Sequence, residues 1–215
     1  LVGSEMCIRD SYKWIQKQKI QHRIDLLDIS YLYLPWISSQ FQEDYINKDK
    51  DNYILKYNYE NRLIVRMGYN YSYNSAGGTL VNNTITTNSY SIRAGFESAG
   101  NILYGISKMI NMRKNKDGEY AILGIPYAQY LKGDFDFAKN IIIDHRNSLA
   151  FHAGIGIAVP YGNAKVVPFE KRYFSGGANS VRGWSVRNLG PGSFAGDGNF
   201  MNQSGDIKLD ASIEY

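Results

Sequence analysis

The feature that most constrains the fold of this chain is a set of long segments in which apolar and polar residues alternate. The clearest lies at about 57–74, where Leu63 and Val65 begin an apolar face that continues in the same phase to Tyr73. Arginine, glycine and asparagine occupy most of the intervening positions, and only Ile64 breaks the pattern. Because successive side chains of a strand point to opposite faces, this segment is predicted to be a two-faced β-strand.

Five further segments alternate in the same way, at about 20–34, 87–98, 126–139, 148–159 and 205–215. With lengths of ~11–15 residues, they exceed the usual globular strand and could cross a bilayer at a tilt. Their polar positions carry Arg66, Arg93, Glu97, Lys132, Asp134, Asp136, Asp206, Lys208, Asp210 and Glu214. In a membrane barrel the apolar face meets lipid and the charged face lines the lumen. The sequence therefore predicts an all-β protein, with about six strands of an antiparallel transmembrane β-barrel wall.

The connections between these segments support the same prediction. Those at about 35–56, 99–125 and 160–204 are long, and the two between them are shorter. Outer-membrane barrels have long extracellular loops and short periplasmic turns. Two of the long connections also contain helical patterns, one at 38–46 and one that Asn101 would cap and that would end near Met109.

Several classes of function find no support in the sequence. The net charge of +4 is too small to indicate a nucleic-acid partner. No nucleophile motif, phosphate loop or nucleotide fingerprint is present, so we expect neither enzymatic activity nor a cofactor. The three histidines lie on separate segments, which argues against a metal site. Asp134 and Asp136 could form a catalytic pair, but we favour lumen charges balanced by Lys132, Arg66 or Arg93.

The long connection is the candidate functional segment. Residues 167–193 are rich in glycine, proline and aromatic residues and follow no helix or strand pattern. Long loops of this kind are usually either functional or disordered, and the aromatic residues favour function. Near its centre lie Val181, Arg182, Gly183 and Trp184.

This V-R-G-W run resembles the signature of the BamA/TamA family of outer-membrane assembly barrels, also called the bacterial surface antigen family. The family pattern is V/I-R-G-F/Y/W, at the tip of an extracellular loop that folds back into the lumen. The flanking runs at 160–163, 168–171, 176–180 and 189–192 resemble the TamL branch of Bacteroidetes-type bacteria. The resemblance extends over about residues 12–215.

The resemblance implies a barrel of about sixteen strands, in which the six segments are strands seven to twelve. It implies that the loop at 160–204 lies in the lumen and that Arg182 pairs there with Glu214. The residues expected to support the loop are Pro168, Phe169, Gly176, Gly177, Gly190, Pro191 and Gly192.

In function, the resemblance implies a protein of the bacterial outer membrane that inserts or translocates other outer-membrane proteins. Its partners would be the lipid bilayer, unfolded outer-membrane protein clients and a periplasm-spanning TamB-like protein. The alternatives are a passive pore or a two-partner secretion transporter, which would share the barrel. An outer-membrane enzyme is a third class, and it would need a nucleophile motif.

The N-terminal residues are expected to be foreign to the protein. The run at 5–11 resembles a translated sequencing adapter, so residues 1–11 are expected to pack against nothing and the barrel domain to span 12–215. The chain is also expected to be an internal fragment, because no signal-peptide pattern opens it and an alternating run closes at Tyr215.

Overall fold

The structure is a computed structural model that describes residues 2–36, 57, 60–76, 88–115, 118–144, 146–178, 180–189, 192 and 203–215. In chain order its elements are β1 Val2–Gln16, β2 Ile20–Trp36, β3 Arg62–Asn74, β4 Ser89–Ala99, α1 Asn101–Met109, β5 Ala121–Ile122, β6 Ile125–Pro126, β7 Tyr130–Ile142, β8 Ser148–Pro160 and β9 Ile207–Glu214. The seven long strands form one antiparallel sheet in the order β1-β2-β3-β4-β7-β8-β9, and β5 pairs with β6. The predicted antiparallel strands are confirmed, with the long strands paired in chain order and β1 as an additional strand.

The sheet has one charged and one apolar face. Asp134 on β7 lies opposite Gly95 on β4 and Gly156 on β8, and the neighbouring Phe135 lies opposite Ala94 and Ile155. The predicted charged positions of the strands share one face, which we call the covered face because the loop between β8 and β9 packs on it. The other is called the open face.

A β-bulge explains the imperfect alternation of β2. Asp25 pairs with Gly68 of β3 and Asp28 pairs with Arg66, so β2 has one residue more than β3 between these pairs. The extra residue lies at Leu26 and Leu27, both of which are exposed on the open face. The bulge therefore keeps Asp25 and Asp28 on the covered face although they are three positions apart.

The expectation that residues 1–11 pack against nothing is wrong. Residues 2–11 form most of β1, which pairs with β2 along its length, although the side chains of Cys7 and Ile8 are exposed. The turn between the two strands has positive φ at Lys17 and Gln18, as in the turns that join twisted hairpins. On the covered face, Arg9 Nε lies 2.7 Å from an oxygen of Asp28. The adapter origin of these residues stays a prediction.

The long and short connections alternate between the two ends of the sheet, as predicted. The connections after β2, β4 and β8 are long, and those after β1, β3 and β7 are short. The helix predicted after β4 is α1, but Asn101 does not cap it. Gly100 is the N-cap at φ +75°, where a Cβ would lie 2.2 Å from the carbonyl oxygen of Ala128. The helix predicted at 38–46 lies outside the described residues.

A small apolar core lies on the covered face beneath the long loop. Its buried members are Ile64, Ala99, Ala128, Tyr130, Ala158 and Val167. Ile64, which breaks the alternation of β3, is thus apolar because the loop covers it. Within the part of the chain that the structure describes, no helix combines the length and the apolarity needed to cross a membrane.

Candidate functional site: the loop between β8 and β9

The candidate site is the connection from β8 to β9, and two of its parts lie among the described residues. We call residues 167–173 the loop base and residues 175–178 with 180–189 the loop arm. The base includes the short 3-10 helix Phe169–Lys171 and lies close to the sheet. The arm contains the V-R-G-W run at its tip.

Before the base, the loop is tied to the preceding long connection. The side-chain amide of Asn163 donates to the carbonyl oxygens of Tyr120 and Tyr127, both at 3.0 Å. The backbone N–H of Asn163 in turn donates to Oε1 of Gln129 at 2.8 Å. Gly162 has φ +62°, and a Cβ there would lie 2.3 Å from Gln129 Oε1. The P-Y-G-N run at 160–163 thus joins two loops at the same end of the sheet.

Charged groups of the base meet charged groups of the wall. Arg172 Nε lies 3.1 Å from Asp206, just before β9. Lys171 Nζ lies 3.9 Å from Glu97 on β4, and Lys132 of β7 donates to the Lys171 carbonyl oxygen at 3.1 Å. Burial in this position lowers the pKa of Lys171, while the Glu97 carboxylate acts in the opposite direction.

Tyr173 ends the base and lies against β7 and β8. Its hydroxyl donates to Asp134 at 2.6 Å and lies 3.3 Å from the Gly133 carbonyl oxygen. Its ring occupies the space above Gly156, where a Cβ would come within 2.6 Å of ring carbon. Asp134 was expected to be a lumen charge balanced by Lys132, Arg66 or Arg93. Its described hydrogen bond comes instead from a phenol of the loop, and the charge balance stays a prediction.

Asp136 lies directly opposite Arg93 of β4, one of the expected cations, and has a further partner on β8. His152 Nε2 lies 3.2 Å from Asp136 Oδ1, across the β7–β8 pair. Arg66, one of the expected partners, lies instead against Asp28 and Glu97. Among the described residues, no group of three or more His, Cys, Asp or Glu side chains could hold a metal ion.

The arm is a hairpin-like excursion held mainly by its own backbone. Arg187 N–H donates to Ser175 O at 3.0 Å, and Gly177 N–H donates to Trp184 O at 2.8 Å. Gly176 has φ +93°, and a Cβ there would lie 2.3 Å from the Ser185 carbonyl oxygen. Gly176 is thus required for the close backbone approach within the arm.

At the tip, Arg182 Nη2 donates to Glu214 Oε1 of β9 at 2.9 Å. The pair expected from the resemblance is therefore present as a contact. Both side chains remain solvated, with 70% and 53% of their area exposed. An ion pair this exposed typically contributes about 0–1 kcal/mol.

The remaining signature residues are exposed. Val181 and Trp184 present apolar side chains to the surroundings, and a Cβ on Gly183 would meet nothing within 4 Å. A backbone turn closes the tip, with Trp184 N–H donating to Val181 O at 3.1 Å. No steric requirement for glycine at position 183 arises from the described neighbours.

The supporting residues differ in how they contribute. Pro168 is buried, and Phe169 faces the Arg187 guanidinium with 4.1 Å between its ring centre and Arg187 Cζ. Phe174 faces the same guanidinium at 4.6 Å. Gly192 has φ +55° and an open environment. Gly190 and Pro191 lie outside the described residues.

Sequence reasoning missed the network on the wall below the base. Arg66 bridges Asp28 of β2 and Glu97 of β4, and Tyr130 of β7 donates to the same Glu97. Asp28 is completely buried. The polar residues of neighbouring strands were visible as one face, but their pairing depends on register, which the sequence does not state.

Comparisons with known proteins agree with this arrangement. A family model described as "Omp85 superfamily domain" matches residues 21–215. The outer membrane protein assembly factor BamA of Neisseria meningitidis serogroup B (strain ATCC BAA-335 / MC58) is 37% identical over 60 residues. That alignment covers 28% of this chain and 8% of the relative, so the chain matches only a small part of that protein.

Proposed function

Because this chain belongs to the Omp85 superfamily and is an outer-membrane protein, we propose that it forms part of a β-barrel that inserts or translocates other outer-membrane proteins. The contact that supports the proposal most directly is the one between Arg182 and Glu214. It joins the tip of the long loop to the last described strand, in the V-R-G-W setting typical of assembly barrels.

In the proposed mechanism the tip of the loop stays beside β9 while a client protein is handled. An arginine suits this task because its planar fork gives directional, charge-assisted hydrogen bonds to a carboxylate. No covalent chemistry is needed. A client strand can be templated by an unpaired strand edge, which offers free backbone donors and acceptors.

Finer assignments are part of the same proposal. The runs that flank the signature support the TamL branch and, with it, a TamB-like partner that spans the periplasm. They also support a complete barrel of about sixteen strands, in which β2, β3, β4, β7, β8 and β9 would be strands seven to twelve. The loop would then lie inside the lumen on the extracellular side.

The test uses the full-length protein with Arg182→Ala or Arg182→Lys. We expect the strands to form in both variants and client folding to slow by up to about fivefold, since an exposed pair contributes at most about 1 kcal/mol. Lysine keeps the charge but loses the planar fork, so it should not restore the rate. The measurement is the rate at which a client barrel becomes protease-resistant in liposomes that contain the protein.

Arg146→Ala is the matched control, because Arg146 is an exposed arginine in the short turn at the other end of the sheet. It should leave client folding unchanged. Wild-type rates in both Arg182 variants would remove the arginine from the mechanism. Ion conductance without any client folding would instead favour a passive pore or a secretion transporter.

A further inference from the structure

We propose that Tyr173, and not the signature arginine, is the residue that positions the long loop on the wall, and that the arm beyond it is a separately movable part. Tyr173 is a positioning residue in this proposal, because it acts on the signature run through the backbone of the loop. The proposal goes beyond the assembly activity and does not depend on it.

The first observation is the fit between Tyr173 and Gly156. The ring lies where a side chain of β8 would otherwise project, with Cζ, Cε1 and the hydroxyl oxygen all within 2.7 Å of an ideal Cβ at Gly156. Because Gly156 has no side chain, it leaves the space on the covered face that the Tyr173 ring occupies. Even the smallest side chain would displace it, since real Cβ atoms do not approach so closely.

The second observation is the set of polar contacts around the same ring. The hydroxyl donates to Asp134 at 2.6 Å, and Lys132 Nζ lies 4.2 Å from the ring centre. Burial, together with the Asp134 carboxylate, raises the pKa of Tyr173, so the phenol keeps the proton that it donates. A hydrogen bond to a charged acceptor contributes more to stability than an exposed ion pair does.

The third observation is that the backbone is fixed at the same residue. Tyr173 N–H donates to Gly205 O at 2.9 Å, and Gly205 N–H donates back to Tyr173 O at 2.8 Å. Arg172, one residue earlier, has 8% of its side chain exposed and meets Asp206. The start and the end of the loop are thus joined side by side at the wall.

Beyond Tyr173 the loop is held in a different way. The arm keeps its shape through internal backbone bonds and through Arg187, which lies between Phe169 and Phe174. The arm contacts a strand through the described ion pair of Arg182 with Glu214, and both of these side chains are exposed. Loss of that pair should therefore release the arm and leave the base in place.

Site-resolved trypsin cleavage of the full-length protein in detergent or lipid tests this division. Lys171 and Arg172 report on the base, and Arg187 reports on the arm. We expect Tyr173→Ala and Gly156→Ala to raise cleavage after Arg172 by about tenfold or more, which corresponds to loss of one hydrogen bond to a charged group. Arg182→Ala should raise cleavage after Arg187 only. Tyr173→Phe keeps the ring on Gly156, so its base cleavage should fall between wild type and Tyr173→Ala.

Gly68→Ala is the matched control for Gly156→Ala. It adds the same methyl group on the same face of the sheet, but its Cβ would lie no closer than 3.5 Å to any neighbour. Its cleavage after Arg172 should equal that of the wild type. Strand content from circular dichroism identifies any variant that has not folded, and Tyr173→Phe provides the test if the alanine variants fail.

A second readout separates positioning from general support of the wall. Cleavage after Arg187 is measured in a double-mutant cycle of Arg182→Ala and Glu214→Gln, with Tyr173 and again with Tyr173→Ala. We expect the effects of Arg182→Ala and Glu214→Gln on cleavage to be non-additive when Tyr173 is present. In the Tyr173→Ala protein we expect the two effects to be additive.

The proposal is overturned if base cleavage stays at the wild-type rate in both alanine variants, or if Gly68→Ala raises it equally. It is also overturned if Arg182→Ala exposes the base, or if the coupling persists without Tyr173. None of these readouts contains a client protein, so their failure and the failure of the proposed function are distinguishable.

Discussion

The two faces of this sheet are formed by the same strands but differ in polarity and in burial. On the open face large apolar side chains are exposed, such as Phe135 with 46% and Leu209 with 81% of their area. On the covered face a carboxylate, Asp28, is completely buried. In a water-soluble protein the arrangement would be reversed. In an outer-membrane protein lipid surrounds the open face, and the charged face must provide its own partners.

The stability of the two faces is therefore expected to have different origins. The open face gains from contact with hydrocarbon, residue by residue, and its members depend little on one another. The covered face depends on mutual pairing, because a buried charge is costly once its partner is lost. Arg66 is central to that pairing, since it contacts carboxylates on both neighbouring strands.

The largest expected effect comes from Arg66→Ala, which would break the pairing of the covered face. It leaves Asp28 and Glu97 without their shared cation, and removal of one partner from a buried pair typically costs about 3–5 kcal/mol. The measurement is the free energy of unfolding in urea with lipid present. Arg93→Ala on the same face is the control, because Arg93 is exposed. Equal losses in the two variants would mean that the network contributes nothing specific.

A smaller effect is expected from Phe135→Lys, which would place a charge on the open face. A lysine facing lipid near the bilayer midplane typically costs about 2–4 kcal/mol. Asn70→Lys makes the same charge on the covered face, close to Asp134 around a polar cavity of about 570 Å³. We expect it to be tolerated. Equal unfolding free energies for the two lysine variants would contradict the assignment of the open face to lipid.

The smallest expected effect is on the pH dependence of stability and comes from Lys171. It would show how far water is excluded from the covered face beneath the loop base. Burial lowers its pKa in the folded state below the ordinary 10.5. The folded protein then binds fewer protons than the unfolded chain between the two pKa values, so stability should rise with pH in that window below 10.5. Lys171→Met should flatten this rise in unfolding measured over that range. An unchanged slope would mean that Lys171 is solvated.

Much of this fold follows from local patterns. Alternation predicted six strands and their two faces because each strand carries its own periodicity. The first strand was excluded because its sequence resembles an adapter, although its residues pair with β2 along nearly its whole length. The bulge at Leu26 and Leu27 left only an irregular pattern, since an extra residue is visible only against neighbouring strands.

The candidate site was less accessible to sequence reasoning. The contact between Arg182 and Glu214 was expected from family resemblance, not from spacing. The Tyr173 ring and Gly156 belong to separate segments of the chain. Neither segment contains a sequence pattern that predicts their contact. Asp134 was expected to be balanced by a cation. Strand periodicity does not predict that a phenol of the loop donates a hydrogen bond to it.

The bulge in β2 makes the loss of one codon harmless to the faces of that strand at one place. Deletion of Leu26 would leave a strand of nearly the same length and composition. Asp25 and Asp28 would then be two positions apart, so Arg23 and Asp25 would stay on the charged wall and Ile24 on the open face without a bulge. Sequence comparison would score a one-codon deletion in a regular part of the strand as the same single gap, although that deletion shifts the alternation by one residue.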